Sequence, residues 1–300
     1  MSTVRPHGDL DEETMQDQRL SGPTVLRMVV GGELRRLREA CEISRAAAGY
    51  HIRASDTKIS RMELGRTGFK IRDVADLLTM YGVTAETERR PLLSLAERAN
   101  HPGWWHAYGD AVPSWFEPYL GLEQAASVIR AWEVQFVPGL LQTEAYARAV
   151  AGLARGLSEA DIDRRVELRM RRQSILTRPR PVRLWAVLDE AAVRRLVGGR
   201  DVMRAQIAHL IDMAALPNVT IQLMPFSHGG HAAAGGPVTI LRMAEDLLPD
   251  VVYLEQLNSA IYPDKPAEVD QYWDVMNRLS VEAERADATV DSLRRILDEI

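Results

Sequence analysis

Apolar residues recur every three or four positions at the start of the chain. The segment VLRMVVGGELRRLREACEI begins at Val25 and places Leu26, Val30, Leu34 and Leu37 on one side. This spacing is the 3.6-residue period of an amphipathic helix, so the segment predicts a helix with one buried face. Cys41, the next position of the same series, is expected to be a buried thiol.

The same spacing continues in shorter segments. Four more helices are predicted over residues 45–52, 56–64, 71–82 and 86–100. Ser44 and Ser55 precede the first two of these segments, and serine is a preferred residue at the N-terminal cap of a helix. Gly65 follows the second and is expected to end it. Five short helices predict a compact all-α domain.

The pattern changes after residue 100. The stretch HPGWWHAYGDAVPSWFEPY is rich in Trp, Pro and Gly and predicts a junction between domains. LEQAASVIRAWE predicts another helix. Beyond Pro181, β-branched or alternating segments bounded by Pro, Gly and Asn predict four strands, and these segments are VRLWAVLDE, NVTIQLMPF, GPVTILRMA and DVVYLEQL. Helices lie between and after these strands, so we expect an α+β domain with a sheet of about four strands.

The chain therefore divides into five predicted segments. These are a disordered arm over residues 1–23, an all-α domain over 24–100, the junction over 101–119, an α+β domain over 120–285 and a C-terminal helix over 286–300. The N-terminus has no apolar core of a secretory signal. One cysteine excludes an internal disulfide framework, and the composition predicts a cytoplasmic protein without membrane segments.

Charge is distributed unevenly along the chain. Residues 24–72 contain eleven Arg and Lys against five acidic residues, a formal charge of +6. Because the whole chain carries −5, the remainder carries −11. A basic module attached to an acidic body is typical of a protein of which one part meets phosphates.

The second and third predicted helices are joined by the short turn Ile52–Ser55. Gly49 and the alanines before it would let the two helices cross closely, which explains a glycine that costs about 1 kcal/mol of helix propensity. Ile59 and Met62 lie three residues apart and are expected to face the core. The polar and basic side chains of the third predicted helix are then expected to face solvent or a groove of DNA. The expected base contacts are Asp56, Thr57, Lys58 and Arg61, and the expected phosphate contacts are Arg45, Arg53, Ser60, Arg66, Thr67 and Lys70.

Residues 26–82 resemble an XRE-type helix-turn-helix, the phage-repressor class of DNA-binding domain. SRAAAGYHIRASDTKISRMELGRTG matches the motif of that class without a gap. Arg45 replaces the usual glutamine, and Gly49 stands at the small residue of the helix crossing. Asp56 stands where a neutral amide is common, and Glu63 and Gly65 form the E-x-G end of the reading helix.

The rest of the chain resembles the WhiJ-like regulators of actinobacteria. The resemblance rests on the segment 103–149, with Pro-Gly-Leu-Leu-Gln-Thr-Glu at 138–144 as its most specific part, and on the later strands. It implies a transcriptional regulator that acts on double-stranded DNA. It also implies a small partner protein encoded by a neighbouring gene, in an arrangement like that of toxin–antitoxin pairs.

Candidate chemistry outside the helix-turn-helix is sparse. His228 and His231 have no third or fourth metal ligand nearby in sequence, and the glycine-rich segment around them lacks the Lys-Ser/Thr of a phosphate loop. We therefore predict no enzyme activity, no catalytic residue, no metal site and no cofactor. A basic run of Arg164, Arg165, Arg169, Arg171 and Arg172 is either a solvated, ion-paired face or a further surface for phosphates or an acidic partner.

Three hypotheses of function follow. The first is a sequence-specific DNA-binding regulator that forms a homodimer on a two-fold operator. The second is an antitoxin-like module that sequesters a small partner protein. The third is a regulator that senses a small-molecule effector, for which a cavity lined by Trp104, Trp105, Trp132 or Trp185 is the expected sign.

Overall fold

The computed structural model describes residues 22–233, 235–243, 248–263 and 265–300, and these form two compact units that divide between residues 106 and 107. The arm predicted over 1–23 lies outside the described residues except for its last two. The described part of the first unit is helical, and that of the second combines helices with a sheet. None of the described helices is both long enough and apolar enough to cross a bilayer.

The first unit contains five α-helices in its described part. They are α1 (Pro23–Ala40), α2 (Arg45–His51), α3 (Asp56–Glu63), α4 (Ile71–Met80) and α5 (Glu86–Ala99). Their apolar sides meet in one core that includes Val30, Leu34, Ile59, Met62 and Leu78. The helices predicted from the 3.6-residue period are thus present, each within a few residues of its predicted ends.

Cys41 is exposed, so the prediction of a buried thiol was wrong. Helix α1 ends at Ala40, and Cys41 is its C-cap residue. The backbone leaves the helix there, which takes the side chain out of the apolar series. Its thiol donates a hydrogen bond to the carbonyl of Tyr81 at 3.3 Å.

The described part of the second unit contains seven α-helices. They are α6 (Glu117–Ala125), α7 (Glu144–Ala151), α8 (Glu159–Arg172), α9 (Glu190–Arg194), α10 (Arg200–Met213), α11 (Pro266–Glu282) and α12 (Ala286–Glu299). Short 3₁₀ helices occur at Gly139–Leu141, Gln173–Leu176 and Phe226–His228, and another, Trp104–Ala111, begins in the last residues of the first unit. They connect the longer elements.

The sheet has six strands rather than the predicted four or so. The strands are β1 (Ala126–Glu133), β2 (Arg183–Asp189), β3 (Val219–Met224), β4 (Val238–Met243), β5 (Val251–Glu255) and β6 (Ala260–Ile261). Their spatial order is β3-β2-β1-β4-β5-β6. Strands β1, β2 and β3 run parallel, whereas β4 is antiparallel to β1, and β5 and β6 continue the antiparallel pattern.

The sequence prediction missed two strands, the two-residue strand β6 and β1, which is a central strand of the sheet. LEQAASVIRAWE was predicted as a helix, but α6 ends at Ala125 and β1 begins at Ala126. A central strand is covered on both faces, so its apolar residues need not alternate with polar ones. Ile129 and Trp132 are both buried although they point to opposite faces, and their three-residue spacing imitates a helix.

Helices cover both faces of the sheet. On one face Trp132, Ile240 and Val252 pack with Met276 and Leu279 of α11. On the other face the ring of Tyr119 in α6 lies 4.2 Å from that of Tyr253 in β5. The edge strand β3 is covered by the end of the chain, because the Leu223 N–H donates to Thr289 of α12 at 3.0 Å.

Candidate DNA interface

Helices α2 and α3 form a tight helical hairpin with a serine cap at each start. The Ser44 hydroxyl accepts from the N–H of Ala47, and the Ser55 hydroxyl accepts from that of Lys58, both at 3.1 Å. Gly49 allows the close turn between them. A Cβ atom at Gly49 would lie 2.7 Å from the carbonyl oxygen of Ala54, so the close approach is to the turn just before α3.

Helix α3 has one buried side and one open side. Ile59 and Met62 are each 1% exposed, as predicted for the core-facing positions. Asp56, Thr57 and Arg61 are exposed on the other side. This arrangement leaves a polar helix surface that is exposed to solvent and open to a ligand as large as a duplex.

Two glycines let α3 approach α1 at backbone distance. A Cβ atom at Gly31 of α1 would collide with the carbonyl oxygens of Met62 and Glu63, the latter at 2.7 Å. Gly65 ends α3 in the left-handed conformation with φ of 64°, and a Cβ atom there would lie 2.6 Å from the Met28 nitrogen. The helix end at Gly65 was predicted from the sequence, but the role of Gly31 was not, because a glycine inside a predicted helix carries no signal of its partner.

A buried ion pair fixes the C-terminal end of α3. Arg38 of α1 donates from Nε and Nη2 to the two carboxylate oxygens of Glu63, at 2.6 and 3.0 Å, and from Nη1 to the carbonyl of Ile43. Both side chains are under one-tenth exposed. The hydrogen bond to Glu63 is the largest cause that raises the pKa of Arg38. Burial, and then the Glu63 charge, raise the pKa of the nearby Tyr81 to about 12.

Several of the predicted contact residues already have partners. The ammonium of Lys58 lies 2.5 Å from a carboxylate oxygen of Asp73 in α4, with its side chain only 35% exposed. Arg45 donates to the hydroxyl of Ser60 at 3.1 Å, which links the start of α2 to the middle of α3. The Asp56 carboxylate accepts from the N–H of Thr57 at 2.7 Å, at the positive end of the α3 dipole.

The other predicted phosphate contacts lie on the flanks of α3. Arg53 lies in the turn just after the Ile52 C-cap of α2, with φ of 56°, a left-handed conformation that is uncommon for a residue with a side chain. Arg66 and Lys70 are exposed, and Thr67 is half-buried. Asn100 holds this loop, because its side chain accepts from the N–H of Phe69 at 2.9 Å and donates to the carbonyl of Phe69 at 2.6 Å.

Acidic residues of the first unit neutralise a specific subset of its basic ones. The pairs are Arg35–Glu39, Arg36–Glu33, Arg38–Glu63, Lys58–Asp73 and Arg72–Asp76. Arg45, Arg53, Arg61 and Lys70 have no carboxylate partner within the described residues. Uncompensated positive charge therefore lies on α2, on α3, in the turn between them and at the start of α4, and α5 adds Arg89 and Arg90, which also lack a carboxylate partner among the described residues.

The remaining candidate residues have packing partners. Trp132 is fully buried, and the ring of His231 packs against it at 4.7 Å. The guanidinium of Arg130 lies 4.5 Å from the ring centre of Trp185. His228 lies 3.7 Å from a carboxylate oxygen of Glu282. Within the described residues no cluster of three His, Cys, Asp or Glu side chains is arranged to hold a metal ion.

Each of the two units contains a segment that matches a protein-family model. Residues 29–92 match the model of a helix-turn-helix domain. Residues 116–295, more than half of the chain, match the model of the domain of unknown function DUF5753. The chain belongs to the DUF5753 family. In this DUF5753 protein the helix-turn-helix match contains α2 and α3, which confirms that part of the prediction.

No curated protein and no solved structure matched the chain significantly. The resemblance of this DUF5753 protein to the XRE type and to WhiJ-like regulators therefore stays a prediction. The matched domain descriptions are enough to assign a helix-turn-helix, a domain class that binds DNA, to the first unit.

Proposed function

We propose that this protein is a non-enzymatic transcriptional regulator that binds double-stranded DNA in a sequence-specific way. The observation that carries the proposal is the open face of α3 in a matched helix-turn-helix domain. Thr57 and Arg61 are exposed there while Ile59 and Met62 hold the helix to the core. Threonine and arginine can read the base edges of the major groove.

The roles of the neighbouring side chains follow from their contacts. Lys58 is a positioning residue, because its ammonium pairs with Asp73 and holds α3 to α4. Arg45, oriented by Ser60, contacts phosphate at the start of α2. Arg53, Arg66 and Lys70, with Thr67 beside them, contact phosphates on the flanks. Asp56 belongs to the helix start and meets a base only as an acceptor for a cytosine amino group.

A single module of this size reads only a few base pairs. We therefore propose that the protein acts in the cytoplasm as a homodimer on a two-fold operator, with half-sites about 34 Å or a multiple of it apart. The DUF5753 unit would supply the dimer contact and receive the regulatory input. The small partner protein implied by the WhiJ-like resemblance is one candidate for that input.

The test is selection from a random duplex library by the full-length protein, followed by sequencing. A preferred sequence with internal two-fold symmetry is the expected result. The same selection with Thr57→Ala and Arg61→Ala combined should lose the preference. Arg36→Ala, which removes an exposed, ion-paired arginine of α1, serves as the control and should keep it. No enrichment by the unaltered protein would contradict the proposal and favour the antitoxin-like hypothesis.

A further inference from the structure

The segment that precedes α1 is acidic, and it is attached to the most basic part of the chain. Residues 1–21 contain five acidic side chains against two arginines, a formal side-chain charge of −3, whereas residues 24–72 carry +6. We call residues 1–21 the acidic arm. Its acidic side chains lie within one stretch of nine residues, and they are Asp9, Asp11, Glu12, Glu13 and Asp17.

The acidic arm joins the first unit close to the C-terminal end of α3. Gly22 is the N-cap residue of α1, which begins at Pro23. Met28, less than two turns into α1, lies at backbone distance from Gly65, since a Cβ atom at Gly65 would lie 2.6 Å from the Met28 nitrogen. At a rise of about 1.5 Å per residue, the arm therefore leaves the unit within roughly 10–15 Å of the end of α3.

The acidic stretch is long enough to reach all of α3 from this point. Asp17 is five residues before Gly22 and Asp9 is thirteen residues before it. An extended chain covers at most about 3.3–3.6 Å per residue, so these carboxylates can lie up to roughly 17–45 Å from the start of α1. Helix α3 itself has eight residues and is about 12 Å long. The turn before α3 and the loop after it also lie within this reach.

The surface within reach carries exposed basic side chains that have no acidic partner among the described residues. On α1, by contrast, the exposed Arg35 and Arg36 pair with glutamates of the same helix. The acidic residues of the folded unit thus neutralise α1 and leave the surface of α2 and α3 basic. Its exposed, uncompensated side chains are Arg45, Arg53, Arg61 and Lys70.

We propose that the acidic arm folds back onto this basic surface of its own chain and competes there with DNA phosphates. The inference rests on the DNA-binding function proposed above, because the surface is the one assigned to the duplex. The tether holds the carboxylates at an effective concentration of about millimolar, whereas each exposed ion pair is weak. The arm is therefore a competitor that a duplex displaces, and it lowers the affinity for every sequence by the same factor.

The lysines of the chain allow a test of the contact without DNA. There are three, of which Lys70 is exposed at the start of α4, Lys58 pairs with Asp73, and Lys265 is exposed in the second unit beside Glu268. A carbodiimide joins a carboxylate to a lysine amine that it contacts. Treatment of the full-length protein and peptide mass spectrometry should show residues 9–17 joined to Lys70 within one chain. Equal joining to Lys265, or products between two chains only, would overturn the proposal.

The competition is measured with a neutral-arm variant, in which the aspartates and glutamates of residues 9–17 become Asn and Gln. Its affinity for the selected duplex and for a scrambled one, followed by fluorescence anisotropy, should rise about three- to tenfold at about 0.05 M salt, with their ratio unchanged. The gain should fall below about twofold near 0.3 M salt, because salt weakens the contact between the arm and the basic surface.

A matched control separates this contact from a general effect of net charge. The control variant carries the same five-charge change on exposed acidic residues of α11 and α12, and its affinity should change less than twofold. An equal gain in both variants would overturn the proposal. The residues changed in the control are Glu268, Asp270, Asp274, Asp287 and Asp291.

The outcomes distinguish the role of the arm from the function of the domain. A neutral-arm variant that binds duplexes with the same affinity as the unaltered protein would overturn the inference and leave the DNA-binding function standing. Absence of duplex binding by both proteins would overturn the function and the inference with it.

Discussion

Two adjacent glycines of α1 give opposite predictions for the same substitution. Gly31 faces the backbone of α3, where a Cβ atom would lie 2.7 Å from the Glu63 carbonyl oxygen, whereas Gly32 has nothing within 4 Å. Replacing Gly32 by Ala should stabilise the helix by about 1 kcal/mol, because glycine is a poor helix former. Gly31→Ala gains the same propensity but must push α3 away, which costs about 1–3 kcal/mol.

The helix propensity cancels between the two variants, so their difference isolates the contact between α1 and α3. Because the opposing atoms are backbone and cannot rotate away, we expect the upper part of that range. Native-state hydrogen exchange of the full-length protein measures this difference, and peptides from α3 should exchange about 30–150-fold faster in Gly31→Ala than in Gly32→Ala. Equal protection of α3 in the two variants would refute the close approach of the helices.

Two further predictions concern charged groups. Glu63→Ala leaves the Arg38 guanidinium buried without its partner and should lower the free energy of unfolding, measured by hydrogen exchange, by about 3–5 kcal/mol. Glu33→Ala, in the exposed pair with Arg36, should lower it by no more than about 1 kcal/mol. Equal losses in the two variants would contradict the assignment of Arg38–Glu63 as a buried, stabilising pair. Because burial raises the pKa of Glu133 in β1 to about 8, the folded protein keeps a proton on Glu133 that the unfolded chain loses near the ordinary pKa of a glutamate, 4.5. The free energy of unfolding should therefore fall as pH rises from about 5 to 8. Over that range the melting temperature of Glu133→Gln, measured by circular dichroism, should rise progressively above that of the unaltered protein. A difference in melting temperature that does not change with pH would contradict this prediction.

The first unit was predictable from sequence because its signals are local. The periodic apolar positions, the serine caps at Ser44 and Ser55 and the stop at Gly65 all act within one helical turn of the residue concerned. The contacts between helices were not visible in this way. Gly31 and Arg38 lie about thirty residues before their partners in α3, and nothing in the local sequence pattern predicts which residues those partners are.

The second unit was harder because its sheet is buried on both faces. Strands β2 to β5 were found through their β-branched segments, but β1 was mistaken for a helix, and β6 is only two residues long. The basic run in α8 was recognised, and its two alternative interpretations both assumed an outward face. The structure turns Arg169 and Arg172 inward, where Arg172 meets Glu123. Such a partner depends on how α6 and α8 pack on the sheet, which no spacing in the sequence encodes.

The measurement that tests the central claim most directly is fluorescence anisotropy on the selected duplex and on a scrambled one, across a salt series. Arg61→Ala should reduce the difference in binding free energy between the two duplexes by about 1–3 kcal/mol, as expected for a side chain that reads a base. Arg66→Ala should weaken both duplexes alike and flatten the salt dependence by about one unit, and Arg35→Ala, on the exposed face of α1, should change neither. An unchanged affinity ratio in Arg61→Ala would contradict the assignment of α3 as the reading helix.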